Sequence, residues 1–150
     1  MSEGKVMALD LGSARVGVAV SDETRLIAQS YGVIKRKSRE EDFARYGRII
    51  AEQEITLLVI GLPTKADGSD SNTAVWIRDY AVDLQQHIDV PIVFWDESYS
   101  TVKAEESLRQ RGKRGKKARQ RVDAVAAAFI LQSYLDAHTG DWRSEIRDLA

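Results

Sequence analysis

Two stretches of the sequence are almost continuously apolar, and they restrict the possible folds more than any other feature of the chain. Val6–Leu11 is interrupted only by Asp10, and Thr56–Ile60 contains no charge and is followed by Gly61. Runs of this length and composition are typical of strands inside a sheet that is covered on both faces. The chain is therefore expected to fold as an α/β protein.

The segments around these strands predict the rest of the fold. Val16–Val20 and Leu26–Ile34 follow the first strand after short connections, which favours an antiparallel meander. Ser38 and Glu41 have the spacing of a capping box and predict a helix over Arg39–Gln53. The other predicted elements are a polar loop over Lys65–Asn72, a helix over Thr73–His87, a strand over Val90–Trp95, a short helix over Lys103–Gln110 and a long helix over Arg121–Ala137.

This order predicts a single domain over residues 1–150, in which residues 137–150 form a weakly held tail. Right-handed crossovers would join the meander to the later strands. The expected sheet is therefore mixed and five-stranded, with three antiparallel strands and then two parallel ones, and it is flanked by helices.

The composition excludes several kinds of site. The chain has no cysteine and two histidines, which excludes thiolate chemistry and argues against a zinc site. No apolar run approaches the roughly 20 residues of a membrane helix, and residues 1–5 lack the layout of a signal peptide. We therefore expect a cytoplasmic protein, without a membrane partner, whose chemistry rests on carboxylates, basic residues and hydroxyls.

The charge is unevenly distributed along the chain. Eight of the 22 basic residues lie from Arg109 to Arg121 with no acid among them, which leaves a net charge of −9 on the rest. Such a segment suggests contact with a polyanion such as nucleic acid. The alternative is a solvated surface loop without a partner, which Gly112 and Gly115 within the segment favour. The candidates for phosphate contact in this segment include Arg114, Lys116 and Lys117.

Three acids occupy positions where a purely structural role is costly. Asp10 lies within an apolar strand, and Glu97 directly follows another. Asp123 shares a helix face with the apolar residues four and seven positions later. The structural alternatives are a hydrogen bond to the turn for Asp10, an exposed loop for Glu97 and a helix N-terminus for Asp123. Brought to one sheet edge, the three would offer the oxygen ligands that Mg²⁺ or Mn²⁺ prefers, and such ions support phosphodiester cleavage.

The most specific local motif is the turn after the first strand, with the sequence DLGSARVG at 10–17. Gly12 permits a tight turn, and Arg15 is a candidate phosphate ligand. Together with VIGLP at 59–63, DGS at 67–69, DESYSTVKA at 96–104 and RVDAVAAAFILQSYL at 121–135, this motif resembles the YqgF (RuvX) family of RNase H-like proteins. The resemblance extends from about Lys5 to Ala137.

The resemblance implies an RNase H-like fold and a metal-dependent nuclease. It makes Asp10, Glu97 and Asp123 the catalytic metal ligands. The chain departs from the family at Ser98, where the family usually has Arg, and a phosphate contact is in doubt there. The substrate contacts that the resemblance suggests are Arg15, Thr101 and the region of Lys116 and Lys117, and Gly12 is a further candidate for substrate contact.

Two activities are attributed to this family. Processing of the small-subunit ribosomal RNA precursor needs one site and thus only a monomer, whereas resolution of a Holliday junction in branched DNA needs a homodimer. We expect RNA processing, with junction resolution as the alternative. An ATP-binding actin-like domain, which has a similar Asp-x-Gly hairpin, and a non-catalytic nucleic-acid scaffold are further alternatives. Trp76 and Trp95 could stack on bases, although such residues are more often part of a core.

Overall fold

The protein forms one mixed sheet with helices on both faces. A computed structural model describes residues 4–63, 71–96 and 124–138. The elements are β1 (Lys5–Leu11), β2 (Arg15–Ser21), β3 (Ala28–Lys35), α1 (Arg39–Glu52), β4 (Ile55–Leu62), α2 (Asn72–Gln85), β5 (Ile92–Asp96) and a helix, α3, over 124–138.

The strand order across the sheet is β3-β2-β1-β4-β5. β1 and β3 both pair with β2 in antiparallel fashion, whereas β4 is parallel to both β1 and β5. This confirms the predicted arrangement of three antiparallel strands followed by two parallel ones. β1 is the central strand, and residues from Val6 to Leu9 are fully buried, as their apolar sequence predicts.

Each face of the sheet has its own hydrophobic core, because successive side chains of a strand point to opposite faces. Met7, Leu9 and Leu11 of β1 belong to one core with buried residues of α1 and α2. Val6 and Ala8 belong to the other, which α3 completes. The α3 residues in this second core are Ala127, Ile130, Leu131 and Leu135.

The two helices on the first face begin at serine caps. The hydroxyl of Ser38 accepts a hydrogen bond of 3.1 Å from the Glu41 N–H, which confirms the cap predicted from their spacing. The hydroxyl of Ser71 accepts an equivalent bond of 3.1 Å from the Ala74 N–H at the start of α2. Each cap satisfies a backbone donor that the first turn leaves without a partner.

β3 begins at Ala28 and not at Leu26, because Asp22 organises the preceding loop. Its Oδ1 atom accepts from the N–H groups of both Leu26 and Ile27 at 2.9 Å. Burial opposes ionisation of Asp22, but these bonds and one from the Thr24 hydroxyl outweigh it and lower the pKa of this carboxyl. The other described boundaries coincide with the predicted ones or differ from them by one or two residues. The segments predicted as the short helix over Lys103–Gln110, the beginning of the helix over Arg121–Ala137 and most of the tail lie outside the described residues.

Candidate active site

The carboxyl ends of the parallel strands meet at one edge of the sheet, and Asp10 lies at that edge. Leu9 pairs with Ile60, and Ile60 pairs with Phe94. Asp10 is therefore one residue beyond this level, and Asp96, the last residue of β5, is two residues beyond it. Glu97 follows Asp96 directly in the sequence.

Asp10 lies on the face of the sheet that α3 covers. Alternation along β1 places it with Val6 and Ala8, which both pack against that helix. Its side chain is half-buried, whereas the preceding residues of β1 on this face are fully buried. The carboxylate therefore stands where the second core ends and solvent begins.

The direction of α3 is fixed by hydrogen bonds to β3. The Ser30 hydroxyl donates to the Ala124 carbonyl at 3.2 Å. Eight residues later, Gln132 accepts from the Ala28 N–H and donates to the Leu26 carbonyl, both at 2.9 Å. Because later residues of α3 bond to earlier residues of β3, the helix is antiparallel to β3. β3 is parallel to β1, so α3 is also antiparallel to β1, and its residue-124 end lies toward the edge where Asp10 lies. Asp123 immediately precedes this end in the sequence.

The turn between β1 and β2 is closed by Gly12. Its N–H donates to the Arg15 carbonyl at 2.9 Å. A Cβ atom on Gly12 would lie 2.7 Å from that same oxygen, so the turn has room only for glycine. Arg15 is the half-buried first residue of β2 and stands across the turn from the end of β1.

Arg36 holds this turn from the side, which no pattern in the sequence indicated. Its backbone N–H donates to the Ala14 carbonyl at 2.9 Å. Its Nη1 atom donates to the carbonyls of Gly12 and Ser13, each at 3.2 Å. Three successive carbonyls of the turn thus accept hydrogen bonds from one residue.

A pair of buried tyrosines lies in the core beneath this region. The hydroxyl oxygens of Tyr46 on α1 and Tyr80 on α2 are 2.9 Å apart, and both side chains are fully buried. Burial raises the pKa of both hydroxyls, and in Tyr46 the adjacent Tyr80 raises it further. The pair therefore ties the two helices together while both hydroxyls are neutral.

The two tryptophans of the described residues are engaged in packing. Trp76 is half-buried, contacts the first core and lies with its ring centroid 5.4 Å from that of Tyr80. Trp95 contacts the second core, and its Nε1 atom donates to the Ser133 hydroxyl at 3.0 Å. Both positions agree with the structural alternative given for these residues.

The structure describes only part of the predicted site. It brings Asp10, Gly12 and Arg15 together around the β1–β2 turn. Within residues 4–63, 71–96 and 124–138, no group of three or more acids or histidines is placed to hold a metal ion. The other predicted site residues, which lie outside these ranges, are Glu97, Thr101, Arg114, Lys116, Lys117 and Asp123.

A model of the RuvX family, described as Holliday junction resolvase, matches residues 4–137. The chain belongs to this family. A protein of Anaeromyxobacter sp. (strain Fw109-5) is 39% identical over 132 residues, which cover 88% of this chain and 96% of the relative. A protein of Rhodobacter capsulatus is 42% identical over 139 residues, which cover 91% and 87%. Both relatives carry the name of a candidate pre-16S rRNA nuclease.

Solved structures agree on the fold. T. thermophilus RuvC in complex with a Holliday junction substrate is similar with a TM-score of 0.57 and 18% identity, over 92% of this chain and 97% of that chain. The fold is RNase H-like, as the resemblance in sequence implied.

The family and the relatives together identify the protein as a nuclease, an enzyme that hydrolyses phosphodiester bonds of nucleic acid. In the described parts of the chain, no helix has the length and apolar character to cross a membrane.

Proposed function

We propose that the protein is a divalent-metal-dependent nuclease that processes the precursor of the small-subunit ribosomal RNA, with Asp10, Glu97 and Asp123 as its catalytic acids. One observation carries the proposal. Asp10 lies near the end of β1, and the two described chain ends that adjoin Glu97 and Asp123 in the sequence, the end of β5 and the residue-124 end of α3, lie at the same edge of the sheet.

The register supports this grouping quantitatively. Ser30 bonds to Ala124 and pairs with Ala19, which in turn pairs with Ala8. Along the strand direction, the described start of α3 therefore lies at the height of Ala8. Ala8 is two residues before Asp10, a distance of about 7 Å along the strand. In the sequence, Asp123 directly precedes that start and Glu97 directly follows the end of β5.

The donors suit a hard divalent cation. Asp10 offers carboxylate oxygens, and its half-buried position between core and solvent permits both binding and exchange of an ion. Asp10, Glu97 and Asp123 would hold the ion, which we propose to be Mg²⁺ or Mn²⁺. Such an ion supplies Lewis acidity to a phosphodiester and lowers the pKa of a bound water. Without it, three carboxylates at one edge would repel each other strongly.

The chain's own basic residues would orient the substrate. Arg15 lies across the turn from the end of β1, close enough to the edge to hold a backbone phosphate next to the scissile one. Arg114, Lys116 and Lys117 belong to the basic segment, which would attract and align the nucleic acid backbone. Thr101, on the DESYSTVKA motif, would add a hydroxyl contact.

The relatives' names favour ribosomal RNA over a DNA junction as the substrate. A single site suffices for RNA processing, so the proposed active form is a monomer. The description of the family model keeps Holliday junction resolution as the second candidate. That activity would require a homodimer, because two strands are cut symmetrically.

The test is a cleavage assay on two labelled substrates, an RNA that spans an end of the small-subunit precursor and a four-way DNA junction. Each is incubated with Mn²⁺, Mg²⁺ or EDTA. Asp10→Asn should lower the rate by about 100-fold or more, since the Lewis acidity of a bound ion is worth several kcal/mol. Asp89→Asn is the matched control, because Asp89 is an exposed acid in the connection that precedes β5, at the opposite edge.

The outcomes separate the candidates. Metal-dependent cutting of RNA alone supports the proposal, and cutting of the junction alone replaces it with resolution. An Asp10→Asn variant that cuts as fast as wild type would refute the assignment of the acids. Thermal protection by ATP without cutting would favour the actin-like alternative, and absence of both cutting and protection by Mn²⁺ would favour the scaffold.

A further inference from the structure

The most unusual contact near the site is the one between Arg36 and the β1–β2 turn. We propose that Arg36 is a positioning residue for the nuclease reaction, which fixes the turn and thereby the directions of Asp10 and Arg15. The inference rests on the proposed function of Asp10. Its structural basis is the set of three carbonyls, from Gly12 to Ala14, that accept hydrogen bonds from Arg36.

The guanidinium of Arg36 is itself held on several sides. It lies over the ring of Trp76, with 4.6 Å from Cζ to the ring centroid, and over Tyr80 at 5.4 Å. Both rings belong to α2, and Tyr80 is fully buried. A cation that lies over two adjacent aromatic rings loses little conformational freedom when it bonds to the turn. The turn is thus fixed relative to α2 and not merely to the adjacent strand.

Asp42 fixes the guanidinium from the side of α1. The Asp42 side chain is fully buried, and its Oδ2 atom lies 3.9 Å from Nε of Arg36. Its other oxygen accepts from the Lys37 N–H at 3.0 Å, which anchors the carboxylate at the start of α1. The 3.9 Å separation makes this pair an attraction between charges and not a hydrogen bond. The hydrogen bonds of Nη1 go to the turn, at the carbonyls of Gly12 and Ser13.

These contacts point to positioning and not to substrate binding. The Arg36 side chain is only 18% exposed, and Nη1 already serves two carbonyls. Gly12 and Asp10 are two residues apart, so movement of the turn moves the end of β1 directly. A shift of about 1 Å in a reacting group can lower a rate by about 100-fold. A positioning role would therefore affect the cation site and kcat, with little effect on KM.

The test compares Arg36→Lys with Arg39→Lys. Lysine keeps a positive charge near Asp42 but lacks the planar fork that reaches both Gly12 and Ser13. Arg39 is a matched control, because it also stacks on Tyr80, at 5.1 Å, and its ion pairs are with Asp79 and Asp83 on α2. Should Arg36→Lys not fold, the charge-neutral pair Arg36→Met with Asp42→Asn replaces it.

Three readouts are used: exchange of the Gly12 amide proton by NMR, the Mn²⁺ concentration that half-saturates line broadening near Asp10, and kcat with KM. For Arg36→Lys we expect exchange up to about 10-fold faster, half-saturation at about 10-fold more Mn²⁺ and a kcat about 10- to 100-fold lower. KM should stay within about 2-fold, and Arg39→Lys should match wild type in all three readouts.

The outcomes distinguish the two proposals. One result is that the wild type binds Mn²⁺ and cuts while Arg36→Lys equals it in Mn²⁺ affinity and kcat. That result overturns the inference about Arg36 and leaves the proposed function standing. A rise in KM with an unchanged kcat also overturns the inference, because Arg36 would then act on the substrate. A wild type that neither binds Mn²⁺ nor cuts overturns the proposed function and with it the inference.

Discussion

Replacing Gly12 with alanine places a methyl group 2.7 Å from the Arg15 carbonyl oxygen, well inside normal contact distance. The atom in the way belongs to the backbone, so it cannot move aside as a side chain would. That oxygen also accepts the 2.9 Å hydrogen bond from the Gly12 N–H, which closes the turn. Relief of the clash therefore requires this bond to lengthen or break.

The cost follows from these two contacts. Forcing an extra methyl into a packed site costs about 1–3 kcal/mol, and loss of the hydrogen bond costs about 0.5–1.5 kcal/mol. We expect Gly12→Ala to lower the free energy of unfolding by about 2–4 kcal/mol. For a chain of this size, each kcal/mol changes Tm by about 2–4 °C, so Tm should fall by about 4–16 °C. Cleavage activity should fall as well, since Arg15 moves.

Gly47→Ala is the matched control. Gly47 lies within α1, and a Cβ atom there would have no neighbour within 4 Å. The same substitution should therefore stabilise the protein by about 1 kcal/mol through helix propensity. Urea unfolding and Tm of the two variants and wild type provide the measurement. Equal stability of Gly12→Ala and Gly47→Ala would refute the reasoning from the turn.

Two further predictions concern the buried tyrosines. Tyr80→Phe should cost about 1–3 kcal/mol, because it leaves the buried Tyr46 hydroxyl without its partner, whereas the double variant with Tyr46→Phe should cost less than the sum of the single ones. Additive single costs in urea unfolding would contradict this. Burial raises the pKa of both hydroxyls above their usual 10.0, so the folded state keeps protons that the unfolded state releases. The contribution of the tyrosine pair to the free energy of unfolding is therefore fully present below about pH 10 and falls as the pH rises further. The urea midpoint should fall more steeply from about pH 9 to 11 in wild type than in the double variant, and equal slopes would argue against the assignment.

The sheet could be predicted from the sequence because its signals are local. Apolar runs mark the strands, and short or long connections separate antiparallel from parallel neighbours. The start of β3 could not be predicted, because Leu26 and Ile27 look like strand residues yet are 49% and 58% exposed. Their backbone donors bond to Asp22, and a side chain competing for backbone hydrogen bonds leaves no trace in apolar periodicity.

The acids show the limit of the same reasoning for the site. The apolar residues four and seven positions after Asp123 predict that this acid lies on an apolar helix face. Asp42 has the same relation to Tyr46 and Ile49, and it is buried opposite Arg36. The pattern thus identifies an acid on a buried face but does not say whether a cation or an arginine balances it. The placement of Asp10 and Gly12 at the end of β1 could be predicted because the strand and turn around them are local, whereas the contacts of Arg36 join three elements.

The second hydrophobic core has a consequence for how the chain folds as it is synthesised. Within the described residues, the face of β1 and β2 that carries Val6, Ala8 and Ala19 is covered by α3, which is made more than 100 residues later. Until those residues leave the ribosome, the sheet exposes one apolar face. Nascent chains that stop before α3 should therefore bind chaperones or aggregate, although all five strands are already present.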